Sequence, residues 1–445
     1  MNSRKLKTGK FAILLISTAM VVLMPHLSAK AQQLSPGQAV QIALEQNYNI
    51  RLARLTEEEI RNNLSYGNAG FLPGLTAGAT QSNSITNSRQ EYLSGQINER
   101  EGAKSNTFSS NLSLNWTIFD GFRMFNQYSL LSKQLAAGEL STRVQVENTI
   151  TAVLGGYYNI VQLKNRARVY EKAVQLGEER VQIARDMQVI GSGSGLEVLQ
   201  AEVDFNTDRS QLLDLQKRIA EAEIALNLLL ARDPATLFSV EDTIALMPPF
   251  DYEQLRNKMD AGNAALQISE METEMAMNRL KDIQGRRWPV VGVNLGYNFN
   301  VQSSQSGFVI DGRTSGVNYG ITASMSIFDG FNVNRQQKNA RIGLESARLQ
   351  LESHKSELEA LLLSTHKAYQ ARLQMLALEK SNRVTAEVNF DVASERFRLG
   401  ELSGLEYREA QKNLLQADER LISAGYEVRL LEIALLQISG AVLPE

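Results

Sequence analysis

The sequence predicts a mixed α and β membrane protein that is internally duplicated, with long antiparallel coiled-coil helices and four strands per chain. Residues 116–122, WTIFDGF, recur as MSIFDGF at residues 325–331, an offset of 209. Four segments of about ten residues alternate apolar and polar side chains, as membrane strands do. An uninterrupted helical stretch follows each copy of the motif. Each half therefore reads as helix, strand pair and long helical hairpin.

The N-terminal segment, residues 1–31, has the pattern of a secretory signal peptide. Four basic residues precede an apolar run at 11–24, and Ala29-Lys30-Ala31 forms an A-x-A cleavage site. A membrane anchor is the alternative, but the run is short for a bilayer core of about 30 Å. Cleavage would take the net charge from −3 to −8, so no nucleic-acid partner is expected. The absence of cysteine excludes disulfides, thiol catalysis and thiolate metal sites.

The first repeat is predicted at residues 32–232. It opens with a helix over 34–70, where Ser35 and Pro36 stand in the order of an N-cap and a first helical residue. Strands are predicted at about 71–84 and 107–119, joined by a polar loop at 83–106. A long helix over 123–189 then leads to a glycine-rich tip near 191–196. A second helix returns over 196–232.

The second repeat, residues 252–445, follows the same order. It contains a helix over 252–285, strands at about 288–302 and 316–328, and a polar loop at 303–315. Its long helix covers 332–399, its tip lies near 400–405, and its returning helix ends near residue 439. Residues 233–251 contain Pro234, Pro248 and Pro249, which end the helical pattern. They are predicted to form a small equatorial segment between the repeats.

The strands have one apolar face and one face of Asn, Ser, Thr, Gly and Gln. A soluble, half-buried sheet would alternate in the same way. Membrane strands are favoured because the length of about ten residues suits a tilted crossing and aromatic residues stand at the helix-side ends. An open sheet edge in hydrocarbon costs several kcal/mol per unpaired backbone group, so the barrel must be shared between chains. Two chains would give eight strands and a filled interior, and three would give twelve and leave a passage.

The helical stretches after each IFDGF are exceptionally long, since about 67 residues at 1.5 Å per residue reach roughly 100 Å. The returning helices space their apolar residues by alternating threes and fours, which predicts left-handed coiled-coil packing. The first of these sets is Leu212, Leu215, Ile219, Ala222, Leu226 and Leu229. A soluble coiled-coil rod would show the same spacing, so it specifies shape and leaves function open.

Together these features resemble the TolC-like outer-membrane efflux and secretion channel family over essentially the whole mature chain. The duplication, the two IFDGF junctions, the prolines at the strand starts and the two glycine-rich tips carry the resemblance. It implies a homotrimer with a twelve-stranded transmembrane β-barrel in the bacterial outer membrane and a helical α-barrel in the periplasm. The expected partners are outer-membrane lipid, a periplasmic adaptor and, through the adaptor, an inner-membrane pump. Selection of the cargo is expected to occur in the pump and adaptor.

The resemblance also implies functional positions at the tips. Acidic residues of the channel entrance fall on Glu197, Glu406 and Glu409. A latch of polar contacts between neighbouring coiled coils falls on Phe397 and Leu402, where no hydroxyl or base stands, and Arg396, Arg398 or Arg408 could substitute. The positions expected to contact the adaptor are Gly191, Gly195, Leu196, Gly400, Gly404 and Leu405.

Three copies of Glu406 and Glu409 around one axis would concentrate negative charge, favour cations and raise the pKa of these carboxyl groups by mutual repulsion. A solvated helix face is the alternative for these glutamates. At the level of the whole chain, the alternative is a periplasmic coiled-coil scaffold that never inserts. The sequence does not favour an enzymatic function, because no catalytic set or metal-ligand spacing is present and the glycines at 191–195 join two helices. No cofactor or metal is expected.

Overall fold

The computed structural model describes residues 32–306 and 309–442. The predicted signal peptide lies outside the described residues and stays a prediction. The first half of the chain contains β1 (Gln32–Leu34), α1 (Pro36–Gln46), α2 (Tyr48–Asn63), β2 (Gly74–Glu91), β3 (Ile97–Phe119), α3 (Arg123–Val189) and α4 (Gly195–Leu229). The second half contains β4 (Phe238–Val240), α5 (Tyr252–Gly262), α6 (Ala264–Gly285), β5 (Val290–Ser304), β6 (Asp311–Ser324), α7 (Asn332–Arg398) and α8 (Gly404–Ile438).

Each short helical segment is broken by a buried asparagine, so the prediction of single helices over 34–70 and 252–285 is wrong. Asn47 separates α1 from α2, and its Oδ1 accepts from the backbone N–H of Ile50 at 3.2 Å. Its Nδ2 donates to the carbonyl oxygen of Leu229 at 2.7 Å. Asn263 makes the equivalent pair of contacts between α5 and α6. Each asparagine therefore caps a helix and anchors it to the end of the returning helix in the same half.

The four long strands form one antiparallel sheet in the order β2-β3-β5-β6. The strands are longer than predicted, because β2 continues to Glu91 and β3 begins at Ile97. Only residues 92–96 turn between them, so the predicted loop at 83–106 is wrong. The loop predicted at 303–315 is also too long, since β5 continues to Ser304 and β6 begins at Asp311. Backbone pairing continues where side-chain alternation has faded, since a polar sequence can still form a ladder.

The last strand ends earlier than predicted. β6 stops at Ser324, which pairs with Val290 at the start of β5, whereas the prediction carried it to residue 328. Beyond Val290, β5 offers no further residues for β6 to pair with. The sheet edges within the chain are β2 and β6.

The register gives this sheet two chemically different faces. We call the apolar face the one with Leu75, Phe108, Leu112, Leu114, Trp116, Val293, Leu295, Tyr297, Phe299, Val301, Val317, Tyr319 and Ile321. We call the polar face the one with Gly74, Thr76, Gly78, Thr80, Ser82, Thr107, Ser109, Asn111, Ser113, Asn115, Gly292, Asn294, Gly296, Asn298, Asn300, Gln302, Thr314, Gly316, Asn318, Gly320 and Thr322.

The IFDGF motif forms the turn from strand to long helix. Gly121 and Phe122 adopt left-handed backbone conformations, with φ of 75° and 65°. Asp120 Oδ1 accepts from the backbone N–H of Met124 at 3.2 Å, which satisfies a free donor in the first turn of α3. A left-handed phenylalanine costs about 1–2 kcal/mol, and its edge-to-face contact with Phe119 at 5.3 Å offsets part of this. The second copy repeats the turn at Asp329, Gly330 and Phe331.

The long helices α3 and α7 have 67 residues each, and α4 and α8 return with 35 each. The two hairpins pack side by side through α3 and α8. Along this contact, Arg166 pairs with Glu419 at 2.6 Å, and Gln162 donates to Ser423 at 3.3 Å. The helices of the chain therefore form a layer with α4 and α7 on its outer sides.

A feature absent from the prediction lies beside the middle of α3. β1 pairs in parallel with β4 of the equatorial segment. The hydroxyl of the fully buried Tyr157 donates to the carbonyl oxygen of Leu34 at 2.8 Å and accepts from the N–H of Glu241 at 2.9 Å. Burial raises the pKa of Tyr157 to about 12, so the phenol stays a donor. The equatorial segment is thereby fixed to the helices.

Candidate functional site at the helical tips

Both hairpin tips turn on a glycine with a left-handed backbone. Gly191 has φ of 77° and Gly400 has φ of 75°. After α3, the N–H of Ser192 bonds to the carbonyl oxygen of Met187 at 2.9 Å, and after α7 Glu401 bonds to Arg396 at the same distance. These are Schellman-type helix ends, in which glycine avoids the steric cost of the left-handed region.

The returning helices begin with matching capping boxes. Glu197 reaches back to the backbone N–H of Ser194 at 3.0 Å, and the Ser194 hydroxyl accepts from the N–H of Glu197 at 3.3 Å. Glu406 and Ser403 do the same at 3.1 and 3.3 Å. Sequence reasoning missed this local role, although Ser-x-x-Glu before a helix is its signature. Gly195 and Gly404 are the first residues of α4 and α8.

The acidic positions are exposed at the tips. The Ser403 side chain donates to Glu406 at 2.7 Å, and this bond and that from the Ser403 backbone hold the pKa of Glu406 below its usual value. Glu409 is also exposed and lies three residues further along α8, on the same side of the helix. Raising of the Glu406 pKa by neighbouring chains stays a prediction.

The predicted latch positions lie inside the tip instead. Phe397 is buried and stacks on Tyr407 with ring centres 4.7 Å apart. Leu402 is half-buried against the same cluster, which also receives Leu176 and Ile183 from α3. Both positions therefore supply apolar contact and no polar link.

A buried ionic network joins the two hairpins near the tips. Arg408 of α8 donates two hydrogen bonds, of 2.6 and 2.9 Å, to Asp208 of α4. Its Nε lies 3.6 Å from Asp204, which also pairs with Arg180 at 2.7 Å. The Asp208 side chain is 3% exposed and that of Arg180 7%. Burial would lower the pKa of Arg408, but the hydrogen bond and charge of Asp208 raise it.

Of this network, only Arg408 was a candidate from sequence. At the 209-residue offset, the repeat equivalent of Arg408 is Leu199, that of Asp204 is Asn413 and that of Asp208 is Ala417. The network thus occupies positions at which the two repeats differ. This difference is the sequence signal that could have identified Asp204 and Asp208.

Comparison with known proteins gives the class of molecule. Residues 39–232 and 283–441 match the family model described as outer membrane efflux protein. The chain belongs to this family. The match contains both long hairpins and both tips described above.

Three relatives are similar to this efflux protein along most of their length. The outer membrane efflux protein BepC of Brucella suis biovar 1 is 22% identical over 329 residues, which cover 74% of this chain and 71% of BepC. The outer membrane protein TolC of Escherichia coli K12 is 20% identical over 399 residues, covering 84% and 78%. The probable efflux pump outer membrane protein TtgC of Pseudomonas putida is 21% identical over 410 residues, covering 86% and 78%.

Solved structures share the fold. The CmeC outer membrane channel of Campylobacter jejuni superposes with a TM-score of 0.78 at 16% identity, over 92% of this chain and 86% of CmeC. The outer membrane protein VceC of Vibrio cholerae gives 0.75 at 17% identity, over 91% and 96%.

The efflux protein is therefore an outer-membrane protein with a large periplasmic helical part, in a family of transport channels and not of enzymes. This location argues against the periplasmic scaffold that the sequence left open. Within residues 32–306 and 309–442, no helix is both long and apolar enough to span a membrane.

The two tips of the efflux protein enclose a groove of about 370 Å³. Gly400, Gly404 and Leu405 line it from one side, and Ser192 and Glu197 from the other. Large apolar side chains around the tips are exposed to solvent, namely Val189, Ile190, Leu196, Leu399 and Leu405. The tips thus present an apolar surface with acidic residues beside it.

Proposed function

We propose that three copies of this chain form a channel that serves as the exit duct of a tripartite efflux pump or a type I secretion system. The observation that carries the proposal is the four-stranded sheet, whose two faces differ in polarity and whose edges β2 and β6 have no partner strand within the described chain. In hydrocarbon such edges must pair. Pairing of β6 with β2 of the next chain would give twelve strands with the polar face towards a water-filled lumen.

The helical part supports the same assembly. The outer helices of the layer expose large apolar side chains, which Val384, Val388 and Val392 illustrate on α7 and Leu199 and Val203 on α4. Contiguous exposed apolar surface of this kind marks protein contacts. In a closed ring of three chains, α7 of one protomer would face α4 of the next and cover both surfaces.

We assign adaptor binding to the tips. Leu196 and Leu405 are 64% and 73% exposed and stand beside Gly191, Gly195, Gly400 and Gly404, so the apolar hairpin ends of a periplasmic adaptor could pack there. The name of TtgC, a probable efflux pump outer membrane protein, supports a role in a pump assembly. Glu197, Glu406 and Glu409 would then lie at the entrance and favour cations.

We further assign the latch to Arg408 with Asp204 and Asp208, in place of Phe397 and Leu402. A buried, bidentate ion pair between two coiled coils holds them in one arrangement, because removal of one partner would leave the other charge buried and unpaired. The seam that it closes lies within one protomer.

The experiment that tests the channel combines native mass and conductance. The purified protein is expected to have three times the mass of the mature chain and to give discrete conductance steps in a planar bilayer. Cation selectivity should fall in the Glu406→Gln/Glu409→Gln variant. Steps with unchanged selectivity would keep the channel and remove the acidic entrance. A monomer without steps would overturn the proposal.

A further inference from the structure

The polar face of the sheet carries no charged side chain along its paired register. At the polar-face positions from Gly74 to Thr86 on β2, and at the residues of β3, β5 and β6 in the same rows, the side chains are amides, hydroxyls, alanine or hydrogen. Lys104 of β3 pairs with Ile85 and so lies on the apolar-face side, and the other charged residues of β2 and β3 lie further out, near the turn at 92–96. Whatever passes along this face meets neutral hydrogen-bonding groups only.

Glycine is paired with asparagine on a neighbouring strand at five places on this polar face, and at three of them the asparagine side chain lies close to the glycine. A Cβ at Gly296 would lie 2.6 Å from Oδ1 of Asn318, and one at Gly78 would lie 2.7 Å from Oδ1 of Asn111. At Gly320 the distance to Oδ1 of Asn294 would be 3.3 Å. Each asparagine is the direct pairing partner of its glycine. At these three places the asparagine side chains therefore lie flat over the glycines and do not project away from the sheet.

Hydrogen bonds hold two of these amides along the wall. Asn298 Nδ2 donates to Oδ1 of Asn318 at 2.9 Å, and Asn111 Nδ2 donates to the hydroxyl of Ser113 at 3.1 Å. The three glycine–asparagine pairs occupy three successive rows at the helix side of the sheet. With about 3.4 Å per residue, these rows form a band about 14 Å deep.

We propose that this band sets the bore of the membrane section, with Gly78, Gly296 and Gly320 as the residues that determine which solutes fit. The inference rests on the proposed function, since the polar face must line a closed lumen. Each glycine gives its asparagine space to lie flat, so the passage stays wide. Because the lining is uncharged, this section selects solutes by cross-section and not by the sign of their charge.

The absence of native cysteine makes size-graded thiol labelling a clean test, and it does not depend on whether the periplasmic tips are open. Thr322 lies on the polar face, on the helix side of the band, and is exposed. In intact cells, maleimides carrying poly(ethylene glycol) of increasing size must cross the band to reach Thr322→Cys. Gln302→Cys, on the exterior side of the band, is the positional control.

The variant Gly296→Ala/Gly320→Ala is expected to lower the largest reagent that modifies Thr322→Cys, because both amides are pushed into the lumen. Adding Asn318→Ala/Asn294→Ala should restore the limit. Gly316→Ala is the matched control, since a Cβ there meets nothing within 4 Å. Labelling at Gln302→Cys should not change, and small maleimides of either charge should reach Thr322→Cys at similar rates. Trimer recovery on gels identifies any variant that fails to assemble, and Gly320→Ala alone is then the milder replacement.

An unchanged size limit in the assembled glycine variant, or an equal loss in Gly316→Ala, would overturn the bore assignment. A strong preference for one charge at Thr322→Cys would overturn the claim of charge-blind passage. The proposed function itself fails in a different way. In that case the original Thr322→Cys protein would react with reagents of every size, as an open sheet would, or with none.

Discussion

Removal of Asp208 should loosen the contact between the two hairpins of the chain. The Arg408 side chain is only 14% exposed, and Asp208→Ala takes away both of its short hydrogen bonds. Breaking a buried pair in this way costs about 3–5 kcal/mol. Asp204 remains 3.6 Å from Arg408 but is already shared with Arg180, so we expect the lower end, about 3 kcal/mol. That is a factor of about 100 in any equilibrium that separates α8 from α4.

Hydrogen exchange of the purified protein, read by mass spectrometry, measures this opening directly. Amides of the tip segments 173–189 and 404–411 should exchange about 100-fold faster in Asp208→Ala, because local opening free energy sets the exchange rate. The exposed pair Arg185–Glu202 on the same tip is the matched control. Glu202→Gln should change exchange only slightly, because exposed pairs contribute about 0–1 kcal/mol.

The apolar replacement Arg408→Met/Asp208→Leu separates charge pairing from packing. Because this variant leaves no buried, unpaired charge, its amide exchange rates should stay near those of the original protein or become slower. If Asp208→Ala exchanges no faster than Glu202→Gln, the network does not hold the tips and the latch assignment is wrong.

Three further predictions follow from the described contacts. Asn47→Ala and Asn263→Ala should each cost about 2–3 kcal/mol in thermal unfolding, because each loses a helix cap and a bond to a buried carbonyl. Gly400→Val should impair efflux in a drug-susceptibility assay at normal trimer level, because a β-branched residue resists the left-handed turn. Ser403→Ala should let the pKa of Glu406 rise towards its usual value. Since the original carboxyl group loses its charge only as pH falls through a depressed pKa, the variant should lose cation selectivity in bilayers at a higher pH.

The first two of these predictions have a control within the chain. Asn49→Ala changes an exposed asparagine beside the first cap and should leave unfolding nearly unchanged. Gly343→Ala lies in α7 with open space around it, so efflux should persist. Equal destabilisation by Asn49→Ala, full efflux in Gly400→Val, or an unshifted pH profile in Ser403→Ala would each contradict the corresponding reasoning.

Long-range periodicity predicted the elements that span many residues. The helix beginning at Arg123 and its copy at Asn332 end within one residue of their predicted bounds, because 67 residues without a proline leave few alternatives. Strand ends were less predictable. The side-chain pattern of β2 fades before residue 91, while its backbone ladder with β3 continues. A ladder depends on the partner strand, and one strand's sequence does not contain that information.

The elements missed by sequence reasoning depend on contacts between distant residues. Asn47 resembles any polar residue of a helix until its Nδ2 is seen to reach Leu229, 182 residues away. β1 and β4 have three residues each and owe their pairing to a shared position over Tyr157. Such short segments have no periodicity of their own to detect.

The duplication explains the shape of the protomer, and the departures from it explain how the protomer differs on its two sides. Both halves supply the same junction, tip and cap, and each half contains one long helical hairpin. The contact between the hairpins joins α3 and α4 of one half to α8 of the other, and the residues equivalent to Asp208 and Arg408 in the opposite repeats, Ala417 and Leu199, are uncharged. Divergence at Asp208 and Arg408 supplies that pair. The outer helices keep exposed apolar side chains, such as Val388. Such exposed apolar side chains are the surface that the proposed assembly of three chains would cover.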